Sequence, residues 1–385
     1  MSRTIQAVAA AARSMRWPLT VLTSLDEVPP TKADVKNFTP VGTFPMPEYE
    51  SQPVAFPPFL EVIEYIERHR FTDLIISTPG PMGLTGLAAA RLLGLRTIAI
   101  YHTDFVQYVR YLTQDDDMAD LTWKYMVWFY DQAHTVLVPT ECYRQHMIDH
   151  GFESDKLRVM TRGVDSQCFQ PGKRDPAFFD RYGLDGSLKF LYVGRVSREK
   201  DIDHLVEGFD RLRARGHAAS LVIVGDGPYR RELQARCQGR PVAFTGLLEG
   251  EELAIAYASA DVMVFPSTTD TFCNVVLEAQ ASGLPVIVSD LGGPAEIVQG
   301  HDSGIVVNHQ EPQALADAME RLYQSHELRA DLRARGLRNA MDCTWEKVLE
   351  SLWSMEDGDP KSSHLPSFLS PSPRIAQGVI ALELA

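Results

Sequence analysis

Apolar, strand-like runs recur along the first half of the chain at residues 19–23, 74–77, 97–101, 135–138 and 157–160, each ending in a loop that leads into a helical stretch. Short β-rich runs alternating with helices predict parallel βαβ units. The pattern resumes at 189–193, 220–224, 242–245, 262–265, 286–288 and 304–307, which makes two series and predicts two α/β domains. Between the series lies the segment 163–173, where Pro171 and Gly172 resist continued helix or strand. The boundary is therefore expected near Pro171, with an N-terminal domain over 1–170, a second domain over 171–343 and a C-terminal helix over 344–356. The tail 357–385 is rich in Pro and Ser over most of its length, has no periodicity and is expected to be disordered.

The start of the chain departs from this scheme. It opens on an amphipathic helix, 4–15, and its first strand-like run is 19–23. An open parallel sheet normally begins with a strand whose glycine-rich turn faces the ligand, and that strand and turn are missing here. The expectation is that the sequence is an N-terminally shortened form of a longer protein. The alternative is that another strand fills the gap, and Gly378-Val379-Ile380-Ala381-Leu382 is apolar enough to do so.

Length and composition narrow the class. At ~150 residues per domain, 385 residues suit two compact domains, and 45% hydrophobic with 23% charged residues is ordinary globular usage. The formal charge of −14 argues against general nucleic-acid binding, which needs a basic face. The cysteines Cys142, Cys168, Cys237, Cys273 and Cys343 are scattered without metal or disulfide spacing, so a reducing cytoplasm fits. No stretch approaches the ~20 apolar residues of a membrane span, so any membrane contact is expected from the surface, at the inner face.

The strongest chemical signal is Asp270-Thr271-Phe272-Cys273-Asn274-Val275-Val276-Leu277-Glu278, directly after the run 262–266. If a helix starts near Thr271, its N-terminal amides offer a diphosphate unpaired donors and a favourable dipole. Glu278, about two turns in, reaches ribose hydroxyls. An N-cap Asp and a helical Glu are each common without any function, so the context decides. Ahead of the run stands Phe265-Pro266-Ser267; behind it stand Ala281-Ser282-Gly283-Leu284-Pro285-Val286 and Gly292-Gly293-Pro294-Ala295-Glu296. Upstream, Tyr192-Val193-Gly194-Arg195-Val196-Ser197-Arg198-Glu199-Lys200-Asp201 follows a strand and brings two cations to its end. There Arg195 can fork onto phosphate oxygens and Lys200 can add a mobile charge.

This ordered set resembles the donor-site signature of the retaining family 4 glycosyltransferases. The resemblance is densest over 189–307, and it implies an α/β protein of two Rossmann-like domains facing each other across a cleft, the GT-B fold. It implies a nucleotide diphosphate sugar as donor, bound by the C-terminal domain, and an acceptor hydroxyl on a lipid, polysaccharide or small molecule, bound by the N-terminal domain. It also implies the roles of the residues. Asp270 would orient donor-sugar hydroxyls and Glu278 would hold ribose. Arg195 and Lys200, with Gly194 in the same turn, would stabilise the diphosphate. The amides of Phe272 and Cys273, beside Thr271, would touch phosphate or sugar, and Gly246 with Leu248 would lie on the nucleobase side. His102, in Tyr101-His102-Thr103-Asp104-Phe105, resembles the family's cleft histidine. The donor phosphate would accept the acceptor's proton, with retention at the anomeric carbon, no protein nucleophile and no cofactor.

Two residues depart from the family pattern: Cys273 stands where Gly is usual, and Asp270 is shorter than the commoner Glu. Gly225-Asp226-Gly227-Pro228 also matches and reads as a structural turn. Asp115-Asp116-Asp117 invites a metal reading, but it sits between helical stretches and is expected to be a helix start, so no catalytic metal is expected. The aromatic run 123–130 is expected to pack in the core. Two rivals remain: a sugar-nucleotide epimerase of the same fold, and a non-catalytic sugar-nucleotide-binding subunit.

Overall fold

The computed structural model describes residues 3–26, 34–46, 49–184, 187–354 and 378–381. The chain divides into one unit of Met1–Met160 with Trp345–Ala385 and another of Thr161–Thr344. The division thus falls between Met160 and Thr161 rather than near Pro171.

In the first unit, β1 (Leu19–Ser24), β2 (Val35–Phe38), β5 (Asp73–Ile76), β6 (Arg96–Ile100), β7 (Thr135–Val138) and β8 (Leu157–Val159) share a seven-stranded parallel sheet, while β3 (Gly42–Met46) and β4 (Tyr49–Phe56) form a separate antiparallel pair. The second unit holds β9 (Leu188–Val193), β10 (Ala219–Val224), β11 (Val242–Gly246), β12 (Val262–Phe265), β13 (Val286–Ser289) and β14 (Gly304–Val307) in a six-stranded parallel sheet. The remaining strand, β15 (Gly378–Ala381), comes from the far end of the sequence and lies in the first sheet, whose order is β2-β1-β15-β5-β6-β7-β8.

The place of β15 bears out the alternative that a strand from 378–382 fills the gap, and it corrects the expectation that the whole tail is disordered. The central position is not vacant, because Gly378 to Ala381 pair in parallel with Leu19 to Leu22 on one side and with Asp73 to Ile76 on the other. Those four residues are also no disordered tail; the rest of 357–385 lies outside the described residues. The physical reason is that Val21 and Ile75 are buried, so a gap between their strands would leave two rows of buried backbone groups unpaired. The C-terminal helix Trp345–Ser354 also belongs to the first unit, packing on the first helix, Arg3–Ser14, through a core that includes Ala9, Ala12, Val348 and Leu349.

The second unit shows why its segments fold as they do. Phe190, Leu191 and Tyr192 of β9 are fully buried, as expected of a parallel strand covered on both faces. The helix Ile202–Ala214 buries Ile202, Leu205, Val206, Phe209 and Leu212, the spacing of one helical face. Its glycine, Gly208, lets it approach the helix Pro312–Gln324, since a Cβ there would stand 3.2 Å from Leu315. No helix among the described residues is long and apolar enough to cross a membrane.

Candidate functional site

The strand order β11-β10-β9-β12-β13-β14 places a topological switch between β9 and β12, because the chain runs outward one way from β9 and returns to leave the other way from β12. Ligands of open parallel sheets bind at the carboxyl edge of such a switch. A cleft of about 120 Å³ lies there, lined by Tyr192, Val193, Gly194, Arg195, Lys200, Phe265, Asp270, Cys273, Asn274 and Val275. The rings of Tyr192 and Phe265, on the two strands, stack 5.9 Å apart.

Glycines elsewhere hold the cleft loops in place. A Cβ on Gly225 would fall 1.9 Å from the Gly194 carbonyl oxygen, so the Gly225-Asp226-Gly227-Pro228 turn packs directly on the turn that carries Arg195. A Cβ on Gly293 would fall 2.3 Å from the Thr271 carbonyl oxygen, and Gly293 N donates to the Asp270 carbonyl at 2.9 Å. Both motifs are scaffolding for the cleft.

Asp270 is anchored in the cleft by two side chains. Its Oδ2 lies 2.8 Å from Lys200 Nζ and accepts from Ser267 Oγ at 2.5 Å. Every hydrogen bond to the side chain lands on Oδ2, leaving Oδ1 without one among the described residues. Lys200 Nζ also approaches Thr269 Oγ1 at 3.4 Å.

The helix after this loop starts later than expected, spanning Asn274–Ala281 with Cys273 at its N-cap. Cys273 holds φ +78° and ψ +77°, a left-handed conformation that glycine adopts freely and other residues rarely do. The amides that open the helix therefore belong to Asn274 and Val275, which line the cleft, while the buried Thr271 and Phe272 lie in the loop before it. Burial pushes the Cys273 thiol well above its ordinary pKa, and the charge of Asp270 adds to this.

Glu278 sits just over one turn into the helix rather than two, and its Oε2 accepts from Tyr257 Oη at 2.9 Å. It is not among the cleft-lining residues, and neither are Gly246 and Leu248. Gly246 ends the edge strand β11 with a left-handed backbone, and Leu248, buried, follows two residues later. His102 belongs to the first unit, in the loop after β6; its Nε2 lies 3.3 Å from Ser77 Oγ and its Nδ1 3.0 Å from Thr103 Oγ1. Asp104 caps the helix Phe105–Thr113. Asp115 caps the helix Asp116–Asp131, which explains the acidic triplet. That helix buries Met126, Phe129 and Tyr130, though Trp128 is half exposed.

A cation beside the Asp270–Cys273 loop, not lining the cleft, escaped the sequence patterns. The half-buried Arg162 carries its guanidinium 5.8 Å from the centre of the Phe272 ring. Burial pushes its pKa down to about 10, while Cys273 and Asp270 act in the opposite direction. An arginine in a loop more than a hundred positions ahead of Asp270 carries no local signal of this neighbourhood.

Comparison with known proteins agrees with the geometry. Residues 1–167 match the model of Glycosyltransferase Family 4, and residues 187–325 match that of Glycosyl transferases group 1. A GDP-mannose-dependent alpha-mannosyltransferase of Mycobacterium tuberculosis is 37% identical over 72% of this chain and 70% of its own. One from Corynebacterium glutamicum is 31% identical over 88% of this chain and 80% of its own. Sulfoquinovosyl transferase SQD2 of Arabidopsis thaliana is 33% identical over 68% of this chain, and the match spans about half (51%) of that relative's length. Among solved structures, sucrose-phosphate synthase from Thermosynechococcus elongatus aligns with TM-score 0.72 and 20% identity over 92% of each chain. Anabaena Alr3699/HepE in complex with UDP and glucose aligns with TM-score 0.69 and 16% identity, covering 88% of this chain and all of that one. The switch-point cleft, the ordered motifs around it and these relatives together show that the chain belongs to the family 4 glycosyltransferases, enzymes of the GT-B fold that transfer a sugar from a nucleotide sugar.

Proposed function

We propose that the protein is a retaining, metal-independent hexosyltransferase that moves a sugar from a nucleoside diphosphate donor to an acceptor hydroxyl. The observation that carries this reading is Asp270, held through Oδ2 by Lys200 and Ser267, with no hydrogen bond to Oδ1 among the described residues. A carboxylate paired with a lysine is a poor nucleophile and a good acceptor for a sugar hydroxyl. Arg195 and Lys200 supply the positive charge that a departing diphosphate needs, which is the part a divalent cation plays elsewhere. The amides of Asn274 and Val275 at the helix start add fixed dipoles. The acceptor hydroxyl then attacks from the leaving group's side and passes its proton to the donor phosphate.

Glu278 is assigned to ribose, Gly246 and Leu248 to the base side, and His102 to the donor sugar, each by family resemblance. GDP-mannose is the first donor to test, since two relatives aligned over most of their length are named for it. A cytoplasmic location belongs to the same reading, supported by cysteines scattered without disulfide spacing.

The test is a screen of GDP-mannose, UDP-glucose and ADP-glucose against sugar, lipid and polysaccharide acceptors, reading nucleotide release and the anomeric coupling of the product. Transfer in EDTA with the donor's anomeric configuration is expected. An epimerised sugar nucleotide without release would support the epimerase instead, and tight donor binding without consumption would support a binding subunit.

A further inference from the structure

Asp201 closes the turn that carries Lys200, and its backbone is left-handed, with φ +54° and ψ +28°. Among residues with a side chain, Asp and Asn are those that tolerate this conformation, so its presence does not by itself signal a role. What its carboxylate does is more specific. Oδ2 reaches the loop after β12, where it accepts from Thr268 Oγ1 at 2.9 Å and from Thr268 N at 3.3 Å. A second tie runs alongside, from Thr269 Oγ1 to the Glu199 carbonyl oxygen at 3.3 Å.

These bonds join two loops that leave different strands. One carries Lys200 and the other Asp270. A lysine stem is flexible and its ammonium strongly hydrated, so a 2.8 Å approach to Asp270 depends on both backbones being held. Asp201 and Thr268 are the immediate neighbours in sequence of Lys200 and of Thr269, and neither lines the cleft.

We propose that Asp201 is a positioning residue, whose carboxylate locks the Lys200 turn to the Thr268 loop and so sets Lys200 against Asp270. The proposal rests on the reading of Lys200 and Asp270 as donor-site groups. It separates backbone conformation from the carboxylate tie, because glycine accepts the left-handed backbone without strain and asparagine keeps both the backbone and an acceptor oxygen.

The experiment compares Asp201→Gly, Asp201→Asn, Thr268→Val, the Asp201→Gly/Thr268→Val double variant and Lys200→Ala for thermal midpoint and for donor consumption. Asp201→Gly is expected to keep the wild-type thermal midpoint or exceed it while losing about tenfold to a hundredfold in kcat/KM, since a misplacement of about 1 Å costs up to about a hundredfold. Asp201→Asn should stay near wild type. The double variant should be no slower than Asp201→Gly alone, because both changes break the same tie. Three results would overturn the proposal: Asp201→Gly at full rate while Lys200→Ala is slow, Asp201→Asn as slow as Asp201→Gly, or losses that multiply in the double variant. Full activity in Lys200→Ala would instead overturn the donor-site reading, and this proposal with it.

Discussion

Lys200 Nζ stands 2.8 Å from Asp270 Oδ2, and the two side chains come from loops after the adjacent strands β9 and β12. The pair is mostly shielded from water, with side-chain exposures of 16% and 24%. In such a setting the positive charge is aimed at the cleft and is not dissipated by solvent.

Asp270→Asn leaves Lys200 facing a neutral amide and, on the proposed reading, removes the carboxylate that holds the donor sugar. The expected loss in kcat is about 10²–10³-fold, as for removal of one preorganised electrostatic contact, with the thermal midpoint little changed. Steady-state kinetics beside a melting curve checks this, and a kcat within threefold of wild type would remove Asp270 from the reacting centre.

Glu278→Gln keeps volume and the capacity to accept from Tyr257 Oη while removing charge. Donor affinity should weaken by about tenfold, the ~1.4 kcal/mol scale of a charged hydrogen bond, with a smaller effect on folding. Calorimetric titration of donor into both proteins decides, and an equal Kd would place Glu278 outside the donor site.

Cys273→Gly relieves a strained backbone, since a non-glycine residue in this region costs on the order of 1–3 kcal/mol. The variant should melt no lower than wild type, and it should accept a donor sugar of greater bulk near position 273. A clear drop in thermal midpoint would show that the Cys273 side chain contributes more by packing than its backbone costs.

Ile380→Pro removes an amide from the middle of a central strand, where proline has no place. Loss of a buried ladder hydrogen bond should destabilise by about 1–3 kcal/mol, read as an earlier denaturation midpoint. If the melting curve is unchanged, β15 is not a structural part of the first sheet in solution.

Most of the parallel strands were legible because each is an apolar run bounded by a loop. Runs such as 135–138, 262–265 and 304–307 coincide with strands in the structure. The hairpin of β3 and β4 was not, since Pro45 and Pro53 interrupt any alternation there. The motif residues Gly194, Arg195, Lys200, Asp270 and Cys273 do line one cleft. Gly246, Leu248 and Glu278 do not, because backbone contacts and a helix start three residues later than expected set where they lie.

The sequence by itself determined the class of the protein, the order of its strands along the chain and the cations and carboxylates of its donor motif, since these follow from local periodicity and from short ordered patterns. Tertiary structure decided the rest. That Gly378 to Ala381, which the sequence offered only as an alternative, pair between β1 and β5, that Arg162 stands beside Phe272, and that Asp201 binds Thr268 are contacts between residues far apart in the chain. Such contacts form because buried backbone groups and buried charges must find partners wherever the fold brings them, and no short stretch of sequence records which partner that will be.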